Sequence, residues 1–159
     1  SVLSKRVINK SKFNFVYNLY NLNSQEPSFE KNNDFIFYIR SYPSKGIDQI
    51  IKFIENLKRD HKIITVGETL NIEGITEHGY VPREKVLDLC KKTRFSIISS
   101  ENFYSLFCFD CISSGVKVFF NETMSHEKSF VEDKKVFPIN LNNFENAIEK
   151  ITDKTKNSI

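Results

Sequence analysis

The sequence predicts a doubly wound α/β domain built on a parallel sheet of six strands. Three observations carry that expectation. First, short apolar runs recur at 35–39 (FIFYI), 62–66 (KIITV), 75–78 (ITEH), 95–99 (FSIIS), 116–120 (VKVFF) and 136–139 (VFPI). Most are β-branched or aromatic and continuous rather than alternating, which suits strands covered on both faces. Second, helical periodicity fills most of the intervals, so strand and helix alternate. Third, 159 residues with 40% hydrophobic content are enough for one well-filled domain. Right-handed crossovers then place helices on both sides of the sheet.

The elements follow in order. Residues 1–33 are polar, Asn-rich and broken at Gln25-Glu26-Pro27, with Phe15-Val16-Tyr17-Asn18 as one strand-like piece. After the first strand, 47–59 carries Ile47, Ile50, Ile51, Ile54 and Leu57 at helical spacing, with Lys52, Glu55 and Lys58 opposite. Pro82-Arg83-Glu84 opens a second helix to about Lys92, with Val86, Leu87 and Cys90 turned inward. A third, nearly all apolar, spans Ser105 to Ser114 and stops at Gly115. The last, about 143–155, buries Phe144, Ala147, Ile148 and Ile151.

Composition narrows the function. The net charge of +3, from 23 basic and 20 acidic residues, is mild and evenly spread, which argues against nucleic acid as a partner. No apolar run reaches the roughly 18 residues of a membrane span. The cationic start SVLSKRVINKSK has no apolar stretch behind it and so is not read as a signal peptide. It also lacks Met, as a fragment would. Three cysteines, Cys90, Cys108 and Cys111, suit a reducing compartment. Cys108-Phe-Asp-Cys111 is a bare CxxC without a second ligand pair, and is read as two small residues on a buried helix. His61, His78 and His126 lack ligand spacing, so no metal is expected.

Ligands of open α/β sheets bind outside the carboxyl ends of the strands. That rule selects loops 40–46, 67–74, 79–82, 99–105 and 121–126. None contains GxGxxG or GxxxxGK[ST], and no acidic cluster follows the first strand. The first loop, RSYPSKG, offers side-chain charge instead. Arg40 leaves the strand and Lys45 precedes a helix N-terminus, a pairing that suits a diphosphate or simply two solvated charges at a turn. Glu101 ends the fourth strand, where a carboxylate accepts sugar hydroxyls or caps the next helix. Asp110 lies two turns into that apolar helix, so it has either a structural partner or a ligand.

Together these residues resemble a known family. The order R-x4-KG, then ITVGE, HGYVPREKVLDLCKK and SSENFYSLFCFDCISSGVKVFF is similar to the C-terminal, donor-binding domain of retaining GT-B glycosyltransferases (group 1, family 4-like). The likeness covers about residues 13–155 and lies in the order of motifs. It implies that the chain is one half of a GT-B fold, a Rossmann-like domain at 34–159. Residues 1–33 would be an interdomain linker and lead-in segment, and the acceptor-binding N-terminal domain would lie outside the chain.

Carried over by position, Arg40 and Lys45 neutralise the donor diphosphate and Glu101 contacts the donor sugar. Tyr104, Ser105 and Leu106 meet the phosphates through their backbone. Tyr80 and Val81, in Gly79-Tyr80-Val81, lie beside the base, and Gly67 belongs to the loop after the second strand. The departure is at the family's second Glu. Eight residues after Glu101 stands Phe109, and Asp110 follows one later, so a one-residue insertion would restore Asp110 as the ribose acid. The implied activity is hexosyl transfer from a nucleoside-diphosphate sugar such as a UDP-sugar. The acceptor would be a saccharide or lipid-linked molecule in polysaccharide or lipopolysaccharide synthesis. No cofactor or metal is implied, and the sequence has no DxD. The location would be cytoplasmic, with peripheral contact at the inner face of the membrane as a variant. The alternatives are a UDP-sugar epimerase on the same scaffold and an inactive GT-B-like binding module.

Overall fold

Strands and helices alternate as the periodicities require. The computed structural model describes residues 30–42, 46–98, 105–123 and 135–157. Its elements are β1 (Asn33–Ile39), α1 (Ile47–Leu57), β2 (Ile63–Gly67), β3 (Thr76–Glu77), α2 (Arg83–Lys91), β4 (Thr93–Ile98), α3 (Leu106–Ser113), β5 (Lys117–Asn121), β6 (Val136–Ile139) and α4 (Phe144–Lys156). The six strands form one sheet in the order β3-β2-β1-β4-β5-β6, and every pairing is parallel. This is a Rossmann-like, doubly wound α/β fold.

The alternation of side chains along each strand sorts the apolar residues into two cores. Phe35, Phe37, Ile39, Ile63, Phe95, Ile97 and Phe119 pack on one face under α1 and α4, through Ile50, Phe53, Ile54, Leu57, Ala147 and Ile151. Ile36, Ile64, Val66, Ile98, Val118 and Phe120 pack on the other face under α2 and α3, through Val86, Leu89, Cys90, Cys108, Phe109, Cys111 and Ile112. The first core is aromatic-rich: Phe95 lies 5.5 Å from Phe35 and 5.9 Å from Phe119 between ring centroids. Both faces are dry, which is why the strand sequences are continuous rather than alternating.

The differences from the sequence reading are local. In α1 the inward row is Ile50, Phe53, Ile54 and Leu57, while Ile47 and Ile51 are only half-buried. In α2, Leu89 turns inward where Leu87 was expected. Strand β3 is two residues long instead of four. It is an edge strand paired to β2 only at Ile64↔Thr76 and Thr65↔Glu77. Gly74 and Gly79, with φ of 86° and 64°, bend the chain away on either side. The Glu77 carboxylate accepts from the amides of Leu70 (2.8 Å) and Asn71 (3.0 Å), holding the preceding loop against the strand. Phe15–Asn18 and most of the expected linker lie outside the described residues.

Candidate functional site

The chain leaves β1 toward α1 on one face and leaves the neighbouring β4 toward α3 on the other. Adjacent strand ends whose connections diverge open a crevice between them. A cavity of about 410 Å³ lies there, a size suited to a small-molecule ligand. Tyr38, Ile97 and Ile98 line it from the strands, Ile47 and Ile50 from α1, Val86 from α2, and Leu106 and Phe107 from α3. The first turns of three helices therefore border one cavity, and their amides bias it toward negative charge. Arg40, Arg83, Ser105 and Asp110 supply its polar lining.

Each polar residue is placed by local structure. Arg40 follows the last residue of β1, is exposed, and its carbonyl accepts from the Tyr42 amide (2.8 Å) in a tight turn. Gly46, at φ 61° and ψ 37°, is the N-cap of α1, a left-handed conformation that glycine adopts without steric cost. Ser105 is the N-cap of α3, its hydroxyl accepting from the Cys108 amide at 3.2 Å.

Asp110 is 2% exposed, and its carboxylate is taken by Arg83. Arg83 Nη2 donates to Oδ1 at 2.8 Å and Nε to Oδ2 at 3.2 Å, a two-pronged pair between the start of α2 and the middle of α3. The Arg83 side chain is half exposed at the cavity wall. Of the two possibilities left open for Asp110, the structure supplies a protein partner.

Gly67, at φ +98°, is set by packing. A Cβ built there would stand 2.2 Å from the Ile39 carbonyl oxygen. Its amide bonds to the Gly79 carbonyl (2.9 Å), and the next amide, of Glu68, bonds to the Ile39 carbonyl (3.0 Å). The loops after β1, β2 and β3 are thereby laced together. Tyr80 is 71% exposed, and its hydroxyl donates to Glu68 Oε1 at 3.2 Å. Glu68 is held below the ordinary carboxylate range, first by hydrogen bonds from the Ser41 hydroxyl and amide, then by Tyr80 and the nearby Arg40 charge. The Tyr80 hydroxyl is pushed up by desolvation and then by the Glu68 charge.

The CxxC cysteines point into the core. Cys108 and Cys111 are fully buried, and Cys111 Sγ lies 3.9 Å from Cys90 Sγ. Burial pushes the Cys108 thiol up to about 12 and raises Cys111 well above the usual thiol range. Among the described residues no group of three His, Cys, Asp or Glu side chains could hold a metal ion. No described helix is long and apolar enough to cross a membrane.

Of the residues picked from the sequence, Arg40, Val81, Ser105, Leu106 and Asp110 line this cavity. Tyr80 and Gly67 are not among its lining residues. Lys45, Glu101 and Tyr104 lie outside the described residues. Arg83 was missed because its partner is 27 positions away and nothing local marks it. Glu68 was passed over although a signal existed: it is the first acid after the second strand, within ITVGE. No family model matches the chain, and no curated protein matches it.

Proposed function

We propose that this domain binds the nucleoside diphosphate of a nucleotide sugar, as the donor-binding half of a retaining GT-B glycosyltransferase. The observation that carries the reading is the meeting of Arg40, Val81, Ser105 and Leu106 in one cavity at the carboxyl ends of β1 and β4, with Asp110 held in its wall by Arg83. The family resemblance names all of these residues, along with Gly67 and Tyr80, which do not line the cavity. In this reading the Arg40 guanidinium offers a planar fork to the diphosphate, and the first turn of α3 adds the potential of its amides. Lys45 and Glu101 enter on sequence alone, as second phosphate cation and sugar-hydroxyl acceptor. The catalytic contribution is electrostatic: positive charge aimed at the departing diphosphate, where negative charge grows in the transition state. The acceptor would be held by a second domain, whose closure excludes water.

The test is titration of the chain with UDP, GDP and their sugars. Arg40→Ala is expected to weaken diphosphate binding by roughly 10- to 100-fold, the loss of a charge-assisted hydrogen bond. Lys45→Ala is expected to weaken it as well. Equal affinity in the wild type and both variants would remove the diphosphate assignment.

A second reading, a GT-B-like module that binds without turnover, draws on the Asp110–Arg83 pair. A carboxylate bonded at both oxygens and 2% exposed is poorly presented to a ribose diol. Release of nucleoside diphosphate from a nucleotide sugar, by transfer or hydrolysis in the full-length protein, separates the two. Turnover supports the transferase, and binding without turnover the module.

A further inference from the structure

We propose that Glu68 accepts the ribose hydroxyls of the nucleotide whose diphosphate lies against Arg40. The assignment rests on the nucleotide reading above and moves the ribose contact away from Asp110.

Three observations lead there. Asp110 is committed: both of its oxygens bond to Arg83, and the side chain is buried in the wall of the cavity. Glu68 stands at the carboxyl end of β2, next to the strand that delivers Arg40. Its amide is fixed to the Ile39 carbonyl at 3.0 Å, one residue before Arg40. It is also pre-organised. The Tyr80 hydroxyl bonds to Oε1 at 3.2 Å, and the Glu68 amide is tied to the end of β1. An ionised carboxylate has about four acceptor positions, so the Tyr80 hydroxyl orients the group without saturating it.

Cation and anion are thus set side by side along the strand ends. That arrangement fits a ligand with phosphates at one end and hydroxyl donors next to them. A nucleotide has that order of groups. Dinucleotide-binding domains place a ribose-binding acid at the end of the second strand, and Glu68 stands at the corresponding strand end here without their glycine fingerprint. Tyr80, largely exposed beside Glu68, offers a ring face near the base end of the same ligand.

The experiment is calorimetric titration of the chain with UDP, GDP, their 2′-deoxy and 2′,3′-dideoxy analogues, inorganic pyrophosphate and free glucose. The wild type is expected to bind the ribonucleotides about tenfold tighter than the dideoxy analogues. Glu68→Gln is expected to erase that preference while leaving pyrophosphate affinity within twofold. Asp110→Asn is expected to retain the preference. A preference that persists in Glu68→Gln, or disappears only in Asp110→Asn, overturns the assignment to Glu68 and leaves the nucleotide reading standing. Glucose binding lost in Glu68→Gln would make Glu68 a sugar contact and overturn its ribose role. Binding of neither nucleotide nor pyrophosphate by the wild type overturns the nucleotide reading, and this assignment with it. Thermal unfolding of Glu68→Gln within about 2 °C of wild type is expected, because the side chain is only partly buried and bonds to surface groups.

Discussion

Gly67 has almost no room for a side chain. At φ +98°, with the Ile39 carbonyl oxygen 2.2 Å from the position of a Cβ, even alanine must displace backbone. Gly67→Ala is expected to cost more than about 3 kcal/mol, the range of a severe backbone clash. Gly74→Ala and Gly79→Ala share a positive φ but have open space around them, so each should cost about 1–2 kcal/mol. Urea unfolding of the three variants checks the ranking. A second asymmetry lies in the Arg83–Asp110 pair. Arg83→Met leaves a buried carboxylate without its guanidinium, at an expected cost of about 3–5 kcal/mol. Asp110→Asn leaves a half-exposed guanidinium that water can solvate, at about 1 kcal/mol. Denaturant midpoints that rank the two variants the other way would overturn this asymmetry.

At the scale of elements, α3 differs from its neighbours. It has no polar stripe: five consecutive residues, Cys108 through Ile112, are buried, one of them the paired Asp110. A helix covered on every side beyond its first turn owes its stability to tertiary contacts rather than to an amphipathic face. The Cys108 thiol makes this measurable. Its pKa rises from about 9 to about 12 on folding because burial penalises the thiolate. The stability gained by keeping it neutral is complete below the unfolded value and is lost as pH rises toward the folded one. Unfolding free energy is therefore expected to fall between pH 9 and 12, at up to about 1.4 kcal/mol per pH unit from this group. Urea unfolding of Cys108→Ala over that range should show a shallower decline, with Cys111 still contributing in the same direction. The same burial predicts that native Cys108 and Cys111 are inert to thiol reagents at pH 8, and become reactive only on unfolding.

At the scale of the whole molecule, the order β3-β2-β1-β4-β5-β6 does the positioning. With β1 and β4 adjacent and their helices on opposite faces, the loops after both strands open onto one crevice. A ligand there would touch α1, α2 and α3 at once, and so would stabilise the fold as a unit. A nucleoside diphosphate at 100 times its dissociation constant is expected to add about 2.7 kcal/mol to the unfolding free energy. Thermal unfolding reads this directly, and Arg40→Ala should shrink the shift at equal ligand concentration.

Strands, helices and their alternation were legible in the chain because a sheet covered on both faces demands continuous apolar runs, and helices demand the 3.6 period. The crevice was legible too, since the rule that ligands sit beyond the carboxyl ends of parallel strands needs only the element order. Arg40, Val81 and Ser105, which lie in loops chosen by that rule, line one cavity. Side-chain partnership was not legible. Arg83 and Asp110 are 27 positions apart, and Glu68 and Tyr80 are 12 apart. No periodicity links such residues, because hydrogen-bond geometry is short-ranged while the crossover connections that bring them together are long. The chain alone thus sets which residues reach the carboxyl edge of the sheet. Only the folded molecule decides that Asp110 is occupied by Arg83, and that Glu68 stands oriented beside Arg40.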